Sequence, residues 1–246
     1  MGMSALAAFL IQMPMHVPAL GRETSLQTGP KAFLDIALKY GTDKVTKHQY
    51  HFMYGKYLQT LRSERVKVLE IGLGCDVPYG PGASYWTWKE YFEDVDLYFI
   101  DNDVECTHRW AELQWRPGTT VFLGDQGDPD FLEDFIEATG GEFDVIVDDG
   151  GHFMHQQVIS LQHLWRTIKP GGVYFCEDLE TSYFPMFDGD ASSVDASKYT
   201  MTKHIFELID DKMIFGGGTK HTMSQDLHSI ECMKEICAFV KGPGVL

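Results

Sequence analysis

Basic residues are scarce in this chain. Only 20 of its 246 residues are Lys or Arg against 36 Asp or Glu, a formal net charge of -16. A protein that grips nucleic acid must replace phosphate counterions with its own cations, so no nucleic-acid partner is expected. The same shortage disfavours an anionic membrane surface. There is no run long and apolar enough to span a bilayer, and therefore no membrane partner is expected. The five cysteines, Cys75, Cys106, Cys176, Cys232 and Cys237, are odd in number and show no C-x-x-C spacing. That argues against a zinc site or a disulfide framework and for a reducing, cytoplasmic setting. Residues 1–20 are apolar, yet the basic stretch that opens a signal peptide is missing and Pro14 and Pro18 interrupt them. Leu6 breaks the myristoylation pattern. Residues 1–25 read as a mobile arm or a contact in a homo-oligomer. No internal repeat, low-complexity tract or hinge linker divides the rest, so residues 26–246 are expected to form one domain.

What is present is an α/β rhythm. Val66–Ile71, Leu97–Ile100, Thr120–Leu123, Phe143–Val147 and Gly172–Cys176 are short β-rich runs separated by helix-length segments. This spacing predicts parallel strands buried on both faces and joined by crossover helices. Each run ends in Gly or an acid, and ligands of such sheets sit outside the carboxyl ends of the strands. Ahead of the sheet, 29–61 reads as helical with turn chemistry at Tyr40-Gly41-Thr42-Asp43. This makes 26–64 a helical cap or lid segment in which Asp43 is a candidate helix cap. Behind the sheet, 200–213 has helical spacing. Leu227–Met233 and Ile236–Val240 suit a closing antiparallel hairpin with Lys234-Glu235 at its turn.

Three motifs fall in order on successive strand ends. Glu70-Ile71-Gly72-Leu73-Gly74 is a Gly-rich turn that lets a nucleoside approach the backbone closely. It is not the G-x-G-x-x-G of pyrophosphate binders. Asp101 ends the second strand, where an acid can accept both ribose hydroxyls, although Asp101-Asn102-Asp103 is equally good turn chemistry. Asp125 and Gln126 follow the third strand, with Asp125 placed to accept from an adenine amino group. Asp149, at the end of the fourth strand, and Glu177 with Asp178, at the end of the fifth, would meet on one rim. Helix capping alone does not account for paired acids at both ends.

These segments, together with Tyr40-Gly41-Thr42-Asp43-Lys44, 51–58, 88–92, Val147-Asp148-Asp149-Gly150-Gly151-His152 and Pro170 to Tyr183, resemble class I S-adenosylmethionine (SAM)-dependent methyltransferases. More narrowly they resemble the metal-dependent mycinamicin-type sugar O-methyltransferases, over residues 38–185. The resemblance implies a Rossmann-like, doubly wound, mostly parallel sheet with a C-terminal antiparallel hairpin, and methyl transfer to a hydroxyl of a small-molecule acceptor. It implies SAM contacts from Glu70, Gly72, Gly74, Ser84, Asp101, Asp125 and Gln126. A longer loop, 75–81, separates Gly74 from Ser84 than is usual, and Tyr79 in it could cover the cofactor or touch substrate. Asp149, Glu177 and Asp178 would hold Mg²⁺ or Mn²⁺, since hard carboxylate oxygens suit such ions. His152 would be the general base, with His155 as substitute. If a helix begins after Asp149, that residue and His152 share a side of it. Tyr183, Phe184 and Phe187 are candidates for an acceptor pocket. Transfer to nitrogen, or SAM binding without catalysis, are the alternatives, and a chelator would separate metal-dependent transfer from mere binding.

Overall fold

A computed structural model describes residues 29–243 apart from 76, 115–116 and 216–217. The expectation for residues 1–25 lies outside the described residues. Seven strands form one sheet: β1 Arg65–Ile71, β2 Asp94–Asp101, β3 Thr119–Leu123, β4 Phe143–Asp148, β5 Ile168–Cys176, β6 Leu227–Met233 and β7 Ile236–Lys241. Their order is β3-β2-β1-β4-β5-β7-β6. β1 to β5 run parallel, while β7 pairs antiparallel with both β5 and β6. This is the doubly wound sheet with a C-terminal hairpin that the apolar runs predicted. The order reverses direction beside β1, and the crevice at such a switch point is where ligands of open α/β sheets bind.

Helices cover both faces. α1 Pro30–Tyr40, α2 Asp43–Thr46, α3 His51–Leu58, α4 Ala83–Tyr91 and α5 Val104–Gln114 come first; α6 Pro129–Thr139, α7 Met154–Leu164 and α8 Met201–Met213 follow. Side chains alternate along a strand with period two. Val66 and Val68, Val145 and Val147, and Val173 and Phe175 therefore face one buried cluster, with Phe33, Tyr54 and Trp88. Leu69 and Ile71, Ile146, and Tyr174 and Cys176 face the other, with Leu132, Leu161 and Leu208. Each strand end thus sends alternate residues to opposite sides of the sheet. This decides where the acids at the rim go.

The expectation that the cysteines form no disulfide framework is overturned. Cys75 is bonded to Cys106 and Cys232 to Cys237, and Cys176 is the free, buried thiol. Spacing did not show this because neighbouring strands supply the first pair: Cys75 follows β1 and Cys106 lies in α5, after β2. The second pair closes the β6–β7 hairpin. The expected cap at Asp43 is also absent. Thr42 takes the cap position without a side-chain hydrogen bond, and Asp43 is the first helical residue. Among the described residues no helix is long and apolar enough to cross a membrane.

Candidate active site

The carboxyl ends of the parallel strands open into a cleft of about 490 Å³, of a size suited to a nucleoside-sized ligand. Its floor is the turn after β1. Gly72 has φ 95°, a left-handed conformation, and a Cβ there would lie 2.1 Å from the carbonyl oxygen of Asp149. Only glycine fits. The turn is held from below, because Gly72 N donates to Ile100 O at 2.8 Å and Asp149 N donates to Ile71 O at 3.0 Å. Asp101 braces it: Oδ2 accepts from Leu73 N at 2.8 Å and Oδ1 from Asp103 N at 2.8 Å. Gly74, Ser84, Asp101, Asp125 and Gln126 all line the cleft.

Several of the expected cofactor contacts are committed to the scaffold instead. Glu70 is fully buried and does not line the cleft. It accepts from Ser84 Oγ at 2.8 Å and Trp88 Nε1 at 2.9 Å. Period-two alternation explains this, since Glu70 continues the inward row of Val66 and Val68. Gln126 donates to Asp148 Oδ1 at 2.8 Å and Ser160 Oγ at 2.9 Å, and accepts from Gly151 N at 2.9 Å. The exposed Asp125 accepts from Gly127 N at 2.8 Å and Gln156 Nε2 at 2.9 Å. Gln156 and Gln157, next to His155 in α7, are buried.

The acids divide by the same alternation. Asp149 extends the row of Val145 and Val147, and Glu177 the row of Val173 and Phe175. Both therefore join Glu70 on the α1–α4 side. Lys44 reaches this side from α2 with its side chain only 1% exposed. Its ammonium lies 2.5 Å from Asp149 Oδ2, 2.7 Å from Glu177 Oε2 and 3.2 Å from Glu70 Oε1. Burial opposes its charge, but Asp149, Glu177 and Glu70 hold its pKa well above the ordinary lysine value. The Tyr54 hydroxyl donates to the other oxygen of Glu177. Burial, and next the field of Asp149, push the Glu177 carboxyl well up. One ammonium cannot offset three carboxylates.

Asp178 lies across the rim in a left-handed conformation, φ 53°. Its Oδ1 accepts from the Tyr50 hydroxyl at 2.6 Å. Its Oδ2 is 3.4 Å from His152 Nε2, and Asp149 Oδ1 is 3.9 Å from the same nitrogen. His152 and these two acids have donor atoms within 4.8 Å of one another, close enough to hold one ion. His152 Nδ1 is buried without a hydrogen-bond partner. Of the expected ligands, Asp149 and Asp178 come together, while both oxygens of Glu177 are turned to Lys44 and Tyr54. The helical reason for pairing Asp149 with His152 fails, because α7 begins at Met154. A left-handed turn at His152, φ 60°, brings the ring round instead.

Phe187 lines the cleft beside His152, with ring centroids 6.3 Å apart. Tyr183 and Phe184 are exposed outside it. Tyr79 lines the cleft together with Thr42 and Asp43, and its hydroxyl accepts from Asp43 N at 3.3 Å. Sequence reasoning missed Lys44, Tyr50 and Tyr54. Tyr50 and Tyr54 offered only hydroxyl tips on apolar rings at and within α3, and Lys44 lies in the short polar α2.

The strand order, the Gly turn at β1 and the acid at the end of β2 define the class I SAM-dependent methyltransferase fold, and the chain belongs to that class. No protein-family model matches it. Its curated relatives are named O-methyltransferases. It is 36% identical over 155 residues to the 8-demethyl-8-alpha-L-rhamnosyl tetracenomycin-C 2'-O-methyltransferase of Streptomyces olivaceus, covering 63% of this chain and 39% of that one. It is 37% identical over 159 residues to the demethylmacrocin O-methyltransferase of Streptomyces fradiae, covering 64% and 38%. The L-olivosyl-oleandolide 3-O-methyltransferase of Streptomyces antibioticus is 31% identical over 210 residues, covering 84% and 50%. The chain thus spans half or less of the length of these curated relatives. The structure of the MycE methyltransferase from the mycinamycin biosynthetic pathway, in complex with Mg, SAH and mycinamycin VI, superposes with a TM-score of 0.74 at 26% identity. That match covers 87% of this chain and 56% of MycE.

Proposed function

We propose that the protein transfers the methyl group of SAM to a hydroxyl oxygen of a small natural product, a sugar, polyketide or phenol, with Mg²⁺ or Mn²⁺ at the acid rim. One observation carries this reading. The Gly72–Gly74 floor with Asp101 and the Asp149–His152–Asp178 cluster open into the same cleft. The relatives and the Mg- and SAH-bound MycE support it.

In this reading Gly72 and Gly74 let the nucleoside lie against backbone. Asp101, held by two backbone N–H groups, is the acceptor for the ribose hydroxyls, Asp125 flanks the adenine, and Ser84 faces the methionine end. Asp149 and Asp178 would hold the cation, and Glu177 stands behind them as their buried neighbour. Two hard carboxylate oxygens and room for water fit such an ion. When bound, the cation supplies Lewis acidity that lowers the pKa of an alcohol placed against it. His152 Nε2 accepts the alcohol proton as the oxygen bonds to the methyl carbon and the carbon–sulfur bond breaks, leaving a neutral thioether. Phe187 gives the acceptor an apolar wall.

The test uses the purified chain, labelled SAM and a rhamnosylated polyketide acceptor. SAH should bind with or without EDTA, and methyl transfer should need Mg²⁺. Failure of SAH to bind would refute the cofactor site. Transfer at full rate in EDTA, with no metal by elemental analysis, would refute the metal's part.

A further inference from the structure

Four carboxylates crowd the end of the sheet, and the structure splits their oxygens into two groups. Lys44 takes Oδ2 of Asp149 and Tyr50 takes Oδ1 of Asp178. The opposite oxygens of both residues are left facing His152 Nε2. Glu70 and Glu177 lie on the inner side, where Lys44, Ser84, Trp88 and Tyr54 surround them. The arrangement therefore has an inner subsite filled by an ammonium and an outer one, open to the cleft, where an oxygen of Asp149 and one of Asp178 face His152.

The inner subsite has the chemistry of a cation site. It offers oxygens from Asp149, Glu177 and Glu70 to a single positive centre within 3.2 Å of each. It also shares Asp149 with the outer subsite. A carboxylate bridging two neighbouring cation positions is the plan of a two-metal centre. Here one of the two positions is filled by a side chain.

We propose that Lys44 is the positioning residue that sets the charge of this rim: its ammonium stands where a second divalent cation would otherwise bind, and it confines the site to one cation held by the outer oxygens of Asp149 and Asp178. The inference rests on the metal reading given above. It explains why the cation among these three carboxylates is one that the chain itself supplies. It also fixes the turn that carries Thr42 and Asp43 into the cleft wall, because Lys44 follows them directly.

Mn²⁺ alone is the probe, counted by electron paramagnetic resonance in a titration of the full chain without SAM. Wild type should take up one Mn²⁺ per chain. Lys44→Met should take up two, the first at least about tenfold more tightly, since a buried positive charge next to the site has been removed. One Mn²⁺ at wild-type affinity in Lys44→Met overturns the inference while leaving the metal reading intact. No Mn²⁺ bound by wild type overturns the metal reading itself. Where Lys44→Met does not fold, Lys44→Gln, which keeps a hydrogen-bond donor toward the inner carboxylates without the charge, takes its place. It should take up two Mn²⁺ per chain, and one at wild-type affinity would overturn the inference.

Discussion

Substituting Gly72 by alanine tests whether the floor of the cleft is as tightly built as its geometry requires. Two effects combine there. The residue sits at φ 95°, and a left-handed backbone costs an L-residue about 1–2 kcal/mol. The new Cβ would also meet the backbone oxygen of Asp149 at 2.1 Å, so the ends of β1 and β4 must part by more than an ångström. That separation strains the hydrogen bond from Asp149 N to Ile71 O. Losing it and the local packing adds about 1–3 kcal/mol. The sum is about 3 kcal/mol or more. Gly140 provides the internal control. It caps α6 at φ 70°, and nothing lies within 4 Å of the position a Cβ would take there. Its alanine variant should lose only the conformational term, about 1 kcal/mol. For a chain of this size 1 kcal/mol moves Tm by about 2–4 °C. Calorimetry should therefore show losses of about 6–12 °C for Gly72→Ala and about 2–4 °C for Gly140→Ala. Gly72→Ala should also weaken Mn²⁺ binding, because the same displacement moves Asp149. Equal melting temperatures for the two variants would refute the close-contact argument.

Other consequences are as direct. Asp101→Ala should weaken SAH binding by tenfold or more in calorimetric titration, by removing the ribose acceptor and freeing Leu73 N; unchanged affinity would take Asp101 out of the site. His152→Ala should lower single-turnover methyl transfer about 10²-fold or more while SAH affinity stays within a few-fold, and a wild-type rate would end its role as base. Stability should fall in mild acid through His204. Burial, and then the neighbouring His221, lower its pKa from 6.5 to about 4, so between these values the unfolded chain binds a proton that the folded chain does not. The stabilisation is complete above pH 6.5 and is lost as pH falls toward 4, the loss amounting to about 2 kcal/mol at pH 5. Urea midpoints of wild type against His204→Gln at pH 7.5 and 5.0 measure it, and parallel losses in the two proteins would show that His204 is not the cause.

The sheet was legible because its signal is local. A buried parallel strand is a short apolar run, and a strand end beside a ligand is Gly or an acid, so β1 to β5 and their order of motifs could be read along the chain. The hairpin of β6 and β7 was legible for the same reason. The acids were legible as a group at one rim, but their division was not used, although it was present in the period-two pattern. Glu70 continues Val66 and Val68, and Glu177 continues Val173 and Phe175. Within β1 for Glu70, and one residue past the end of β5 for Glu177, the alternation sends both inward, away from the cleft. Asp178, one residue on, goes to the other side and meets His152.

What no local pattern could give is the partner for the inward acids. Lys44 is 105 residues from Asp149 and 133 from Glu177 along the chain. It also lies in a four-residue helix, too short for an amphipathic stripe to show which side is buried. An isolated Asp43-Lys44 in a Gly-containing turn has the composition of a solvated loop. Its burial becomes intelligible only from the other side. Three carboxylates turned into an apolar layer cannot remain there without a cation, since an unpaired buried charge is far more costly than a paired one. The expected positive charge was a metal ion, yet on the inner side it is supplied by the chain itself. The cysteines repeat this logic. Cys75 and Cys106 are 31 residues apart, and the parallel pairing of β1 with β2 is what makes them neighbours. In both cases the topology, not the spacing, chooses the partner, and the residues concerned are those that shape the walls of the cleft.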